Sequence, residues 1–228
     1  MSARAPGSSL PLRGVLFDLD DTLVDRRAAH RRAVASLLRE RLGSASPAAL
    51  EAVGTADADG LRPRSEFCAE VCRALPELGW SPDALWERYA PAVAAAVEPV
   101  PGRRAALEVL AAQLPLGVVT NGGPLQREKL DRADLGGLWA TVRVSAEEGV
   151  AKPDPRLFAR ALDDLGLAPG EVLFVGDRRE EDVAGARAAG LRACWIRGPR
   201  AGVAPEAEWV APDVDAVLAA LTQPQGTS

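Results

Sequence analysis

Five short apolar runs constrain this chain more than any other feature of it. They lie at Gly14–Phe17, 116–119, Thr141–Val144, 172–175 and 193–196. Each is too short for a helix, favours β-branched side chains and is bounded by polar or glycine positions, which is the signature of a buried strand. Helical patterns at 124–133, 155–165 and 182–189 separate the later runs, and Gly190 stands where the last of them should stop. Strands alternating with helices of this length predict βαβ units, so the fold class is α/β: a parallel sheet with helices on both faces.

One stretch breaks the alternation. Between residues 25 and 99 there is no strand pattern, only helical segments at 26–42, 47–53, 65–75 and 81–97. In the first, Val34, Leu37, Leu38 and Leu42 are the apolar positions. Ser65 and Ser81 are expected N-caps for the last two, with Pro82 in a first turn. This is a helical insertion between the first and second strands. Its single histidine, His30, sits among arginines and reads as solvated. Trp86 and Tyr89 fall three apart and read as core; the alternative is that they join Arg62 and Arg64 in reading a sugar or base.

Composition serves mainly to exclude. A net charge of -5 argues against a nucleic-acid polymer or an anionic membrane as partner. No run of about 18 apolar residues exists to span a bilayer. The polar leader 1–12 lacks the apolar stretch of a secretory signal, so the cytoplasm is the expected location. Cys68, Cys72 and Cys194 are too few for a disulfide framework and are expected as buried thiols. Oligomeric state is not legible.

The chemistry gathers at strand ends, where open parallel sheets bind ligands. The first run leads into Asp18 and Asp20, the second into Thr120 and Asn121, and the fourth into Gly176 and Asp177, with Asp182 five residues on. Lys152 follows the third. In an extended segment Asp18 and Asp20 would leave the same side, and adjacent carboxylates repel unless a hard cation such as magnesium relieves them. Thr120 and Asn121 precede a helix start at Pro124, where backbone N–H groups can hold an anion. Of 27 basic residues only Lys129 and Lys152 are lysine, so a lysine wedged before Pro153 suggests a need for a compact ammonium. Singly, each feature also reads as a surface turn, a helix cap or a solvated charge; together, in this order at successive strand ends, they read as one site.

These residues resemble the haloacid-dehalogenase-like hydrolases. The four signatures of that superfamily have counterparts here in 17–22, 118–122, 151–153, and Gly176 and Asp177 followed by Asp182. The resemblance implies a Rossmann-like core from residues 1–24 and 98–228 and an α-helical cap from 25–97. It implies a phosphatase in which Asp18 is the nucleophile and Asp20 the acid and base. Thr120, the Asn121 backbone and Lys152 would hold the phosphoryl group. Mg2+ would be bound by Asp18, the Asp20 carbonyl, Asp177 and Asp182. Arg178 and Glu181 depart from the usual Ser and Asn of the fourth signature, and Arg178 could pair with Glu180 or Glu181 outside the site.

The implied substrate is a small phosphorylated metabolite, a nucleoside monophosphate or a sugar phosphate. Asp21, Gln126, Lys129 and Leu130 are similar to nucleotidase-like members. A phosphomutase and a non-catalytic binding or regulatory protein on the same scaffold are the alternatives. Dehalogenation is disfavoured because dehalogenases of the family lack a counterpart of Asp20.

Overall fold

A computed structural model describes residues 11–198 and 202–223. Contacts divide the chain into two compact units, one formed by the described residues up to Val24 and from Pro99 onward, the other by Asp25–Glu98. The leader expected at 1–12 lies outside the described residues except for Pro11 and Leu12.

The first unit is a six-stranded parallel sheet with strand order β3-β2-β1-β4-β5-β6. Its strands are β1 (Gly14–Phe17), β2 (Leu116–Thr120), β3 (Thr141–Val144), β4 (Val172–Gly176), β5 (Arg192–Ile196) and β6 (Trp209–Ala211). The five predicted runs are all strands; β2, β4 and β5 are each one residue longer. β6 is an addition, since three residues carry too little pattern to announce a strand.

The order reverses at β1. From there the chain steps outward to β2 and β3, then returns across to β4 and continues the other way. Right-handed crossovers therefore put the connections of the two halves on opposite faces. Side-chain alternation agrees: Leu16, Val119, Val172, Phe174, Ala193 and Trp195 share one face and pack with Leu157, Phe158, Val183 and Ala186. Those partners come from α8 (Pro155–Leu165), from α9 (Gly185–Ala188) and from the turn before it.

Arg103 opens α5 (Arg103–Ala111) and links it to α10 (Val214–Thr222) through two hydrogen bonds to Asp215, of 3.0 and 2.8 Å. A third, of 2.9 Å, goes to the Leu23 carbonyl. Gly117 lets β2 and β3 lie close, for a Cβ there would meet Thr141 Cγ2 at 2.5 Å and Leu16 Cδ2 at 2.6 Å.

The helix expected at 182–189 begins earlier and differently. A π-helical turn spans Arg179–Ala184 and only then does α9 follow. Its charged sequence hid the start, because only Val183 and Ala184 carry an apolar signal.

The second unit is helical throughout its described length: α1 (Arg26–Leu42), α2 (Pro47–Asp57), α3 (Arg64–Ala74) and α4 (Pro82–Ala95), with two short 3-10 turns. Asp25, Ser46 and Ser81 cap α1, α2 and α4 by accepting bonds from backbone N–H groups three residues on. The cap expected at Ser65 is not used. α3 starts one residue earlier with Pro63 at the N-cap position, and no side chain caps it. Val34, Leu38, Val53, Phe67, Val71, Leu78, Leu85 and Tyr89 are among its buried apolar residues.

His30 contradicts its reading as solvated. It is 7% exposed, and its Nδ1 lies 2.7 Å from the Tyr89 hydroxyl. The Tyr89 hydroxyl donates to Asp57, which also accepts from Arg26. Arg31 and Arg32 are exposed while Arg26 turns inward to Asp57, and the groups that contact the His30 ring come from α2 and α4. Trp86 is only partly buried and carries the Arg64 guanidinium 5.1 Å from its ring centre. Cys68 and Cys194 are buried and Cys72 partly so; all three are free thiols. Among the described residues no helix is long and apolar enough to cross a membrane.

Candidate active site

Asp18 follows directly on β1, its N–H donating to the Val175 carbonyl at 2.9 Å, so the carboxylate is fixed at the rim of the sheet. Beyond it the chain leaves extended geometry. Asp21 takes a left-handed φ of 59°, which an Asp tolerates better than most residues. The Asp21 N–H closes a tight turn onto the Val24 carbonyl at 2.8 Å. Asp20 precedes that turn and is bridged to Val24.

β4 runs parallel beside β1 and ends at Gly176, so Asp177 arrives next to Asp18. The π-helical turn then returns Asp182 onto the strand end. Asp182 Oδ2 accepts the Arg178 N–H at 2.8 Å. A Cβ on Gly176 would fall inside the Asp182 carboxyl group, so the missing side chain makes room for this carboxylate rather than for a ligand. Asp18, Asp177 and Asp182 each offer an oxygen within 4.8 Å of the others, and all three are buried.

Lys152 crosses this group. Its Nζ lies 2.6 Å from Asp18 Oδ1 and 2.6 Å from Asp182 Oδ1, with the side chain 1% exposed. Burial alone would pull the ammonium's pKa down; Asp18 and Asp182 more than offset that and hold it above the usual lysine value. Burial pushes the Asp18 carboxyl well above the usual carboxylate range. Lys152 opposes the shift, and the Asp182 and Asp177 charges add to it. Three buried carboxylates against the Lys152 ammonium and the Arg178 guanidinium leave an excess of negative charge. A donor set of oxygens only, at this spacing, fits a hard divalent cation.

Thr120, at the end of β2, is 1% exposed. The Asn121 side chain clasps the Lys152 backbone: its Oδ1 accepts the Lys152 N–H at 2.8 Å, and its Nδ2 donates to the Lys152 carbonyl at 3.0 Å. Nδ2 also donates to Glu181 at 3.2 Å. Glu181, one of the two departures from the family pattern, is thus tied into the site through Asn121. The Arg178 guanidinium stands 3.7 Å from Asp177.

Asp20 is held apart from the carboxylate trio. Lys129 Nζ lies 2.8 and 2.7 Å from its two oxygens, and Gln126 Nε2 donates to Oδ2 at 3.1 Å. The same Nε2 donates to Thr120 Oγ1 at 2.7 Å. Sequence reasoning named Lys129 and Gln126 only for their likeness to nucleotidase-like members and gave them no place in the site. The rarity of lysine that singled out Lys152 applies equally to Lys129 and was the available signal.

A family model described as a haloacid dehalogenase-like hydrolase matches residues 12–190. A phosphoserine phosphatase of Thermus thermophilus is 48% identical over 102 residues, 44% of this chain and 40% of the relative. The pyrimidine 5'-nucleotidase YjjG of Escherichia coli is 35% identical over 134 residues, 56% of this chain and 60% of the relative. The chain thus matches about half the length of these two curated relatives. In fold it is similar to the Bacillus subtilis HAD-hydrolase YfnB, whose crystal structure is of a magnesium-bound form. The TM-score is 0.80 at 23% identity, covering 93% of this chain and 99% of that one.

Proposed function

Because the chain belongs to the haloacid dehalogenase-like hydrolase family, we propose that it is a phosphatase. It hydrolyses the phosphoric monoester of a small metabolite, a nucleoside monophosphate or a sugar phosphate, with Mg2+ as cofactor. One observation carries the reading: the Lys152 ammonium wedged between Asp18 and Asp182, with Asp177 beside them, where β1 and β4 end. Such a group has little structural use, since buried like charges cost stability unless something arrives to balance them.

Asp18 attacks phosphorus and takes the phosphoryl group as an aspartyl-phosphate while the ester oxygen departs. Asp20 gives that oxygen its proton. As a carboxylate it then takes a proton from the water that attacks the acyl-phosphate, releasing inorganic phosphate and restoring Asp18. The Thr120 hydroxyl, the Asn121 backbone and Lys152 hold the phosphoryl oxygens. Asp18, Asp177 and Asp182, with the Asp20 carbonyl, are the residues that would hold Mg2+, which when bound neutralises the carboxylates and the phosphoryl oxygens. The nucleophile must be ionised to act, and burial opposes that. Lys152 is the positive charge the chain itself supplies for the purpose.

The test is release of inorganic phosphate from p-nitrophenyl phosphate and from a panel of nucleoside and sugar monophosphates, run with magnesium, with chelator, and with Asp18→Asn. Metal-dependent release that the substitution reduces at least about 1,000-fold is expected, because removing a nucleophile leaves only positioning and electrostatics. The similarity to YjjG puts pyrimidine nucleoside monophosphates first in the panel. No release from any ester by folded, magnesium-supplied protein would refute the reading.

A further inference from the structure

We propose that Gln126 and Lys129 are positioning residues that fasten the Asp20 carboxylate relative to Thr120, so that the acid meets the leaving-group oxygen; this rests on the phosphatase reading above. The two side chains lie three apart on α6 (Leu125–Arg132) and so project from the same side of that helix. Both are buried, Gln126 at 4% exposure and Lys129 at 7%. Lys129 addresses both Asp20 oxygens, at 2.8 and 2.7 Å, which turns both oxygens toward the ammonium.

Gln126 adds the second anchor. Its amide nitrogen carries two hydrogens, shared among Thr120 Oγ1 at 2.7 Å, Asp20 Oδ2 at 3.1 Å and the Asn121 carbonyl at 3.3 Å, of which Thr120 is the shortest contact. One planar group thereby sets the spacing between the hydroxyl assigned to the phosphoryl group and the carboxylate assigned to the leaving group. In accepting from Gln126, the Thr120 hydroxyl is oriented by a fixed donor. The loop before α6 is shaped around the same amide. Gly122 has a φ of 148°, and a Cβ there would meet Gln126 Cδ at 2.8 Å. A bulk-free residue in a left-handed conformation therefore stands where Gln126 must pass.

A purely structural role for this cluster and a role in aiming the acid differ in what they do to different esters. p-Nitrophenolate leaves without a proton, whereas an alkoxide needs one in the transition state. Comparing kcat/KM for the two ester types reads only the steps up to formation of the aspartyl-phosphate, so slow hydrolysis of that intermediate does not mask the effect.

The experiment measures kcat/KM of the magnesium-supplied full chain for p-nitrophenyl phosphate and for the best alkyl phosphate of the panel. It compares wild type, Asp20→Asn, Lys129→Met and Gln126→Leu, with circular dichroism confirming the fold of each. Lys129→Met is expected to lower the alkyl phosphate value by roughly 30-fold or more and the p-nitrophenyl value by less than about 3-fold, following the pattern of Asp20→Asn at smaller amplitude. Gln126→Leu, which buries no charge and disturbs folding least, should show the same selectivity at roughly 5- to 10-fold. Equal losses on both esters in both variants, or no loss in either, would overturn the inference while leaving the phosphatase reading intact. Wild-type protein inactive on every ester would overturn both.

Discussion

Lysine and arginine are not interchangeable at 152. Two carboxylate oxygens, each 2.6 Å from one nitrogen, define a pocket for a point-like cation, and the Phe174 ring lies 5.2 Å from that nitrogen on another side. A planar guanidinium needs more room and a different donor geometry. With the side chain 1% exposed, the extra atoms have nowhere to go but into the carboxylates or the core. Lys152→Arg is therefore expected to lower kcat by at least about 100-fold, close to the loss in Lys152→Ala, although it keeps the charge. Steady-state kinetics on p-nitrophenyl phosphate checks this; an Arg variant within about 5-fold of wild type would show that charge alone suffices. The choice of lysine was legible in a chain that otherwise writes its positive charge as arginine. What the Asn121 side chain does was not: the sequence pointed only to its backbone as an anion donor, and the fold alone shows the side chain spanning to the Lys152 backbone, 31 residues on.

The elements were legible where local pattern decides them and obscure where distant partners do. β1, β2, β4 and β5 announced themselves because strands buried on both faces read as apolar runs, and the edge strand β3, with Val142 and Arg143 only partly buried, did so through its β-branched residues. The π-helical turn at Arg179–Ala184 did not, since its position follows from Asp182 accepting the Arg178 N–H and facing Lys152. α1 is the instructive case. Its boundaries follow from pattern and capping, yet the state of His30 depends on Tyr89 from α4 and Asp57 from α2. Burial holds the His30 imidazole below its ordinary 6.5, with Asp57 opposing the shift and Arg26 and Arg31 adding to it. As pH falls through 6.5 the unfolded chain protonates first, so it binds more protons than the folded chain and stability drops. Asp57 acts lower. Burial pushes its carboxyl up, but the Arg26 hydrogen bond and charge hold it below the usual carboxylate range, so its contribution is lost only in stronger acid. Between pH 7 and 5 the helical unit should thus lose stability through His30. Urea titrations of wild type and His30→Gln at both pH values check the sign: the wild-type midpoint falls more than that of the variant. Equal falls would show that His30 is not the group responsible.

At the scale of the whole molecule, the sheet collects at one edge of β1 what the chain disperses over 165 residues. The strand order reverses at β1, so connections leave the rim in both directions there, and the rim is where Asp18, Asp177, Asp182, Thr120 and Lys152 meet. All of them belong to the α/β unit; none comes from Asp25–Glu98. A cation bound by the carboxylate trio would thus stabilise the α/β unit, which holds all of these ligands. Binding to the folded state alone contributes RT ln(1 + [Mg]/Kd), about 2.7 kcal/mol at a hundredfold excess over Kd. Amide exchange slows in proportion to the free energy of opening, so peptides from β1, β4 and β5 should exchange about 100-fold more slowly with magnesium where they exchange by opening of the whole unit. Peptides from α1 and α4 should exchange at unchanged rates. Asp177→Asn, which keeps the shape but removes a ligand charge, should abolish most of the difference. Hydrogen exchange read by mass spectrometry tests all three arms without any substrate. Protection spread evenly over both units would point to a general salt effect, and protection surviving in Asp177→Asn would place the ion somewhere other than the ends of β1 and β4.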